Sequence, residues 1–436
     1  MRTAVYCSLD MINALALNLI ATVMNWDNER ATAEYAWLRL MSSMKYDGYS
    51  DFRAGVRFLE SLVSWLRQFE QQDREAAYAF VQERMVYIST AEMQRIIENF
   101  IPETVTPYLR KAVAAELGIK PYEVWRTQAG AKAFLEHQRR CLFVGLSDGS
   151  RIDVLRRANS GRLSQEQVVP MLNVDNEKWK GLGKDLRGEL GDDARFQDVY
   201  LIDDFTASGT TFIRFPDGEP KGKLAKFEQN AQEARKALKD DFPLADGYTL
   251  HIHHYVSTAQ ACQALEGRVA EAGEKLTDPS FGEAHITEGM RLPAVLPIGT
   301  SGTEDAMVAV APSDEPYFGL CGTYYDHNLF ERLEKHCKEA GQVDMRYGYA
   351  NCALPLVLEH NTPNNSTTMA NPFLRRATEY VRDDASFLSI VSPTPLTTFL
   401  VKSQHKDDVF EVPVRIIGSP GSGKTMLATL AEFKMV

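Results

Sequence analysis

The sequence predicts an α/β fold: a helical N-terminal region, then a parallel-sheet domain, then a C-terminal fragment of P-loop NTPase type. In "DFRAGVRFLESLVSWLRQFE" (51–70), apolar residues recur at three-and-four spacing, which indicates amphipathic helix. From about residue 140, short apolar runs alternate with helical stretches, which indicates a parallel sheet. Near the C-terminal end, "GSPGSGKT" (418–425) fits the phosphate-loop pattern G-x-x-x-x-G-K-[ST].

The length and one polar stretch divide the chain. With 436 residues, the chain is too long for one ordinary core, so two or three domains are expected. The segment "TPNNSTTMANPF" (362–373) contains two prolines and is typical of a boundary. We therefore expect a helical region over 1–125, the sheet domain over 126–366 and a partial P-loop segment over 371–436.

Composition and charge exclude several classes of protein. The net charge of -11 argues against a broad surface for nucleic acid or anionic membrane, although a local basic site remains possible. The apolar run 11–24 is interrupted by Asn13 and Asn18 and is too short to span a bilayer. The 6 cysteines show no CxxC spacing, which indicates a reduced, cytoplasmic setting without a cysteine metal cluster.

The strands of the sheet domain are expected where apolar runs end in polar residues. Ligands of open parallel sheets bind beyond the carboxyl ends of the strands, so these polar residues are the candidates for function. The strand-like runs are 141–146, 199–202, 247–258, 294–302, 306–312 and 352–358, and helical stretches lie at 225–240, 259–274 and 327–340.

The stretch "VYLIDDFTASGTT" (199–211) combines two carboxylates with a small-residue loop. Asp203 and Asp204 stand at the mouth of the strand, and burying both is costly unless each carboxylate finds donors. The two hydroxyls of a ribose can be those donors. The residues that follow can cup a phosphate with backbone N–H and hydroxyl groups, and they are Ala207, Ser208, Gly209, Thr210 and Thr211.

This stretch resembles the phosphoribosyl-pyrophosphate (PRPP) loop of type I phosphoribosyltransferases. The shared pattern is an apolar strand, two acids, three residues, Ser or Thr, Gly, a variable residue and Thr. The resemblance implies that Asp203 and Asp204 are the catalytic pair on the ribose hydroxyls, and that residues 207–211 hold the 5′-phosphate. The alternative is a strand that ends in an acidic turn.

A second strand and loop, "LFVGLSDGSRIDVLRR" (142–157), is similar to the pyrophosphate loop of the same family. The alternative is a plain turn before a basic helix face. The resemblance implies Mg²⁺ as a cofactor, held mainly by the bound pyrophosphate. It also implies that pyrophosphate contacts a loop made of Ser147, Asp148, Gly149, Ser150 and Arg151.

Over residues 26–365 the chain resembles a phosphoribosyltransferase-like domain of bacterial conflict and anti-phage systems. This implies a glycosyltransferase of phosphoribosyl type that uses PRPP or a related nucleotide, with the helical front as part of the domain. The long, charged segment 214–246 is expected to be an insertion or a lid. Candidates for contacting the transferred group, or for a surface loop, are His360, Asn361, Thr362, Asn364 and Asn365.

The histidines of "HIHH" (251–254) invite a metal interpretation. His251 and His253 share one face of a strand and His254 takes the other. A third ligand at suitable spacing is missing, so we expect histidines packed in a strand and no metal site of the protein's own.

The C-terminal phosphate loop follows a strand pattern at 412–417 and precedes a helical one at 426–435. Upstream of it, the stretches "NPFLRRATEY" (371–380) and "FLSIVSPTPLTTFL" (387–400) resemble the entry to origin-recognition-type ATPases. Only 11 residues follow Thr425, so we expect no hydrolytic site within this stretch. The alternative function is therefore a non-catalytic nucleotide sensor acting with a partner ATPase. The phosphate-binding residues would be Gly418, Gly421, Gly423, Lys424 and Thr425.

Overall fold

A five-stranded parallel sheet with helices on both faces forms the centre of the protein. No helix among the described residues is both long and apolar enough to cross a membrane. The computed structural model describes residues 15–46, 58–276, 279–299, 314–327, 331, 334, 337–338, 342–358, 362–370, 398–402 and 409–413.

The strands of the central sheet lie in the order β3-β2-β4-β5-β6, and every neighbouring pair is parallel. Two further pairs lie outside this sheet: β1 with β7, which is parallel, and β8 with β9, which is antiparallel. The strands are β1 (Val86–Ile88), β2 (Cys141–Gly145), β3 (Val168–Val169), β4 (Phe196–Thr206), β5 (Leu244–Thr258), β6 (Phe281–Leu292), β7 (Leu356–Leu358), β8 (Thr398–Lys402) and β9 (Val409–Pro413).

The strand order reverses between β2 and β4. From β2 the chain crosses to β3 on one side, and then returns to β4 on the other side. In open parallel sheets this reversal opens a crevice at the carboxyl ends of the two central strands, where ligands bind. The fold thus brings together the ends of the two motifs that the sequence singles out.

The helices begin where side chains cap them. Ser89 and Glu92 form a capping box at the start of α5, and Thr258 caps α11. The helices are α1 (15–24), α2 (Asn28–Met41), α3 (Phe58–Leu66), α4 (Arg74–Glu83), α5 (Thr90–Asn99), α6 (Thr106–Leu117), α7 (Gln128–Arg139), α8 (Ile152–Ala158), α9 (Asn176–Leu190), α10 (Lys223–Leu238), α11 (Ala259–Lys275) and α12 (Glu315–Thr323).

The central strands are buried on both faces, which explains their continuous apolar runs. Tyr200 and Ile202 of β4 face a core shared with α5, α6, α7 and α8. Val199 and Leu201 face the opposite core, which α9, α10 and α11 cover. Helices α5 and α6 precede residue 125 in the chain and nevertheless pack on the sheet.

A third core joins the front helices to the end of the folded part. It contains residues of α1 to α4 together with α12, β7, Met369 and Ala370. The indole Nε1 of Trp65 donates a hydrogen bond to the backbone oxygen of Met369, at 3.2 Å. The chain segments before and after the sheet therefore fold against each other.

The sequence predicted an α/β fold with parallel strands, and the structure confirms it, but several elements differ. The run 294–302 was expected to be a strand, but residues 294–299 form turns and coil, because this stretch leaves the sheet and packs Leu296 and Ile298 into cores. Strand β6 was not predicted, nor was β1 in the helical front.

The segment 214–246 is no lid over the site. About half of it is α10, the 16-residue helix that connects β4 to β5, and the side chains of Phe227 and Ala231 are fully buried against the sheet. The strand-like run 306–312 and the phosphate loop 418–425 lie outside the described residues, as does much of 327–340.

The three histidines of β5 are buried, and burial lowers the pKa of each. It lowers the pKa of His254 to about 3, and that of His253 well below its usual value. It also lowers the pKa of His251, although the hydrogen bond between His251 Nε2 and Asp198 Oδ1, at 2.8 Å, opposes the shift. All three rings are therefore neutral in the folded protein at pH 7.

We expect acid to destabilise the protein through these rings. Below pH ~6.5 the unfolded chain protonates histidines that the fold keeps neutral, so the free energy of unfolding falls by about 1.4 kcal/mol per pH unit for a ring such as His253, whose pKa burial lowers well below its usual value. Urea unfolding at several pH values between 7 and 5 gives the free energy of unfolding at each pH. The slope of this free energy against pH should be smaller in His253→Gln than in the wild type. The half-exposed His285 provides the control His285→Gln. Equal slopes in all three proteins would contradict the prediction.

We also predict that residues beyond 372 are dispensable for this fold, whereas Met369 and Ala370 are required. A chain ending at residue 372 should melt at the temperature of the full chain. A chain ending at 366 loses two buried residues of the third core and should lose about 2–5 kcal/mol of stability. Differential scanning calorimetry measures both. Aggregation of the chain that ends at residue 372 would show that the C-terminal segment belongs to the core.

Candidate functional site

The candidate site lies at the carboxyl ends of β2 and β4. These strands are parallel neighbours, with Gly145 in register with Ile202, so the loops that follow them leave the sheet side by side. The backbone N–H of Leu146 donates to the oxygen of Ile202 at 2.9 Å, which extends the pairing to the start of the first loop. Residues 147–151 and 203–211, which are distant in sequence, thereby form one surface.

Asp203 is the buried acid of the pair, with 4% of its surface exposed. Its Oδ1 accepts a hydrogen bond from Ser147 Oγ at 2.6 Å, and its Oδ2 forms an ion pair with Lys223 Nζ. Burial and the neighbouring charge of Asp204 raise the pKa of Asp203, while Lys223 and Ser147 act in the opposite direction. Both carboxylate oxygens are thus engaged within the protein.

Asp204 is half-buried and lies against the first loop. Its Oδ1 accepts from the backbone N–H of Phe205 at 2.9 Å. A Cβ atom on Gly149 would stand 2.5 Å from Asp204 Oδ2, so only glycine lets the loop approach this carboxylate so closely. The two acids therefore differ: Asp203 is enclosed, and Asp204 borders the crevice.

The first loop turns sharply and places a cation near Asp204. Asp148–Ser150 form a 3₁₀ turn, which Ser150 Oγ closes by donating to the oxygen of Ser147 at 2.6 Å. Arg151 follows in the left-handed region, with φ 45°. Burial lowers the pKa of Arg151, and the charges of Asp153 and Asp204 oppose that shift.

The second loop is a compact turn built around Gly209. This glycine has φ +69°, and a Cβ atom there would stand 2.9 Å from Leu265 Cγ of α11. The N–H of Gly209 donates to Thr206 Oγ1 at 3.2 Å, and the hydroxyls of Ser208 and Thr210 are 2.8 Å apart. Hydroxyl and backbone groups are thus gathered within a few residues, as anion-binding turns require.

Two arginines bind carbonyl groups of this second loop. Nη1 of Arg268, on α11, donates to the oxygen of Ser208, and Nη1 of Arg214 donates to the oxygen of Thr210 at 3.3 Å. Burial lowers the pKa of Arg268. Neither these two arginines nor Lys223 was predicted from the sequence. Lys223 had a detectable signal, since it opens the helix after the loop, whereas Arg268 lies 60 residues from Ser208.

The polar segment after β7 serves a structural role where it is described. The oxygen of Asn364 accepts from the N–H of Tyr349 at 2.7 Å, and Asn365 Nδ2 donates to the oxygen of Tyr349 at 3.0 Å. Thr362 is buried, while His360 and Asn361 lie outside the described residues. Tyr349 lies close enough to Arg268 to affect the pKa of that guanidinium, so this segment lies near the rim of the second loop.

The possible metal chemistry is limited by the available side chains. Within the part of the chain that the structure describes, no group of three His, Cys, Asp or Glu side chains is placed to hold a metal ion. His251, His253 and His254 contact Asp198, Thr287 and aromatic rings. The residues fit a Mg²⁺ ion only if a bound diphosphate supplies most of the oxygen ligands, with Asp204 beside it.

Comparison with known proteins assigns the chain to a family. The search of curated proteins and the search of solved structures gave no match. The family model PRTase-CE matches residues 62–369, from α3 to the last residues of the third core. This match confirms the resemblance to a phosphoribosyltransferase-like domain. The matched range also covers part of the helical front. Because the match spans more than half of its residues, the chain belongs to the PRTase-CE family.

Proposed function

We propose that the protein binds PRPP or a related ribosyl phosphate in the crevice between the loops after β2 and β4. The observation that supports this most directly is the meeting of an acid pair with two small-residue loops at the reversal of the strand order. Residues 207–211 would bind the 5′-phosphate, and Arg214 and Arg268 add positive charge close to this loop. The pyrophosphate would lie at residues 147–151.

The proposed reaction is transfer of the phosphoribosyl group to an acceptor. The bond between ribose C1 and the pyrophosphate oxygen breaks, the acceptor forms the new bond to C1, and pyrophosphate leaves with the electron pair. Such a reaction needs positioning and charge stabilisation more than a general base. When bound, Mg²⁺ would neutralise the leaving pyrophosphate. Ser147 and Arg151 would orient it, and Asp204 would accept from a ribose hydroxyl.

A second candidate is a nucleotide sensor without turnover, acting with a partner ATPase. The phosphate-loop pattern at 418–425 favours this alternative, because it links the ribosyl-phosphate domain to an ATPase. Release of pyrophosphate from PRPP in the presence of candidate acceptors separates an enzyme from a sensor. A role in anti-phage defence and the C-terminal ATPase fragment are also part of the proposal and are supported by sequence resemblance alone. A cytoplasmic location is supported by the scattered cysteines.

We predict that Asp203→Asn combined with Asp204→Asn weakens PRPP binding and leaves the sheet folded. Each lost charge-assisted hydrogen bond should cost roughly 1.5–3 kcal/mol of binding free energy. Isothermal titration calorimetry with PRPP and Mg²⁺ measures the change, and circular dichroism checks the fold. Asp192→Asn, at an exposed position at the opposite end of the sheet, is the matched control. Unchanged affinity in the double variant would contradict the assignment of the acid pair.

A further inference from the structure

We propose that Lys223 is a specificity-determining residue. It forms an ion pair with Asp203 in the free protein, and it selects ligands that carry a diphosphate on the sugar. This inference rests on the proposed function and adds a residue and a ligand preference to it. Its starting point is the ion pair between Lys223 Nζ and Asp203 Oδ2, at the carboxylate that a ribose hydroxyl would need.

The backbone holds Lys223 firmly at this place. Gly222 has φ +125°, and a Cβ atom there would stand 2.4 Å from the oxygen of Phe212, so the start of α10 is pressed against the end of the second loop. The N–H of Lys223 donates to the oxygen of Thr211 at 3.2 Å. The next residue, Leu224, is fully buried. Only the side chain of Lys223 therefore has freedom to move.

Among the residues that the structure describes, Asp203 is the acid that pairs directly with the ammonium group of Lys223. Asp203 accepts from it directly, and Asp204 adds negative charge beside Asp203. His254 also faces the group, and the charge of Lys223 helps to lower the pKa of that ring, which stays neutral. Lys223 is mostly buried, with 20% of its side chain exposed, so leaving Asp203 without a new anion would be costly.

A ribosyl ligand changes this balance in a way that depends on its phosphates. A ribose hydroxyl that binds Asp203 displaces the ammonium group, which then needs another anion. The 5′-phosphate would be engaged by residues 207–211. The position that remains for a second anion is beside Ser147. This residue is the first of the first loop and donates a hydrogen bond to the other oxygen of Asp203. A diphosphate at C1 would supply the anion there, whereas ribose 5-phosphate has none.

Removal of the ammonium group should therefore weaken the binding of PRPP but not that of ribose 5-phosphate. In Lys223→Met, PRPP loses a charge-assisted contact and should bind about 10- to 100-fold more weakly. Ribose 5-phosphate no longer competes with an ammonium group for Asp203, so its affinity should stay the same or rise. Lys223→Arg keeps the charge and should retain preference for PRPP.

Isothermal titration calorimetry with PRPP and ribose 5-phosphate, each with Mg²⁺, tests the inference on the full-length wild type and variants. Lys226→Met is the matched control, because Lys226 is an exposed lysine of the same helix, and it should leave both affinities unchanged. Equal PRPP affinity in wild type and Lys223→Met would overturn the proposal. So would an equal loss for both ligands, which would indicate that Lys223 only supports the shape of the site.

Two further controls keep the outcome decisive. Thermal melting checks that Lys223→Met is folded. If it is not, Lys223→Gln replaces it, because glutamine retains a donor for Asp203 but has no charge. This variant should also bind PRPP more weakly without a loss of affinity for ribose 5-phosphate. A wild type that binds neither ligand would overturn the proposed function itself. A wild type that binds PRPP, with lysine variants that keep the same preference between the two ligands, would overturn only the role of Lys223.

Discussion

The buried carboxylate of Asp203 is the interaction on which the site depends. It joins three segments of the chain: the end of β4, the loop after β2 through Ser147, and the start of α10 through Lys223. A charge buried to this extent must be paired, and removing one partner of such a pair typically costs about 3–5 kcal/mol. The same carboxylate that stabilises the meeting of these segments is the one that the proposed ribosyl ligand would address, so binding and local stability would be coupled.

Close backbone packing is the second constraint, and it explains three glycines of the site. Gly149 approaches the Asp204 carboxylate, Gly209 approaches Leu265 of α11, and Gly222 approaches the oxygen of Phe212. At each position a Cβ atom would stand less than 3 Å from its neighbour. The two loops and the start of α10 are therefore fixed against each other and against α11. A site assembled in this way can hold several polar groups in place before a ligand arrives.

The sequence predicted the parts of the site that are local in the chain. The buried strands β2 and β4 are apolar on both faces, and their polar ends stand out, so residues 147–151 and 203–211 were identifiable. Strand β6 escaped prediction because it is an edge strand whose sequence, "FGEAHITEGMRL", mixes polar residues with few apolar ones. Arg268 also escaped, because its approach to Ser208 depends on how α11 packs across the second loop. Tertiary packing of this kind leaves no periodic pattern in a single sequence.

The charges around the crevice explain how an acidic protein could bind the proposed anionic ligand. The net charge of -11 repels anions at long range, but the field of exposed charges fades over about 8–10 Å at physiological ionic strength. Within that distance, the charges nearest the two loops decide the sign of the potential. Arg214 and Arg268 bind the second loop directly, and Lys223 pairs with Asp203 near the end of β4. Burial removes competing water from Arg268 and Lys223, so their charges act more strongly on a bound phosphate than exposed lysines would. Selectivity for a phosphorylated sugar would thus come from a few partly buried cations around one enclosed carboxylate, without a basic surface on the rest of the protein.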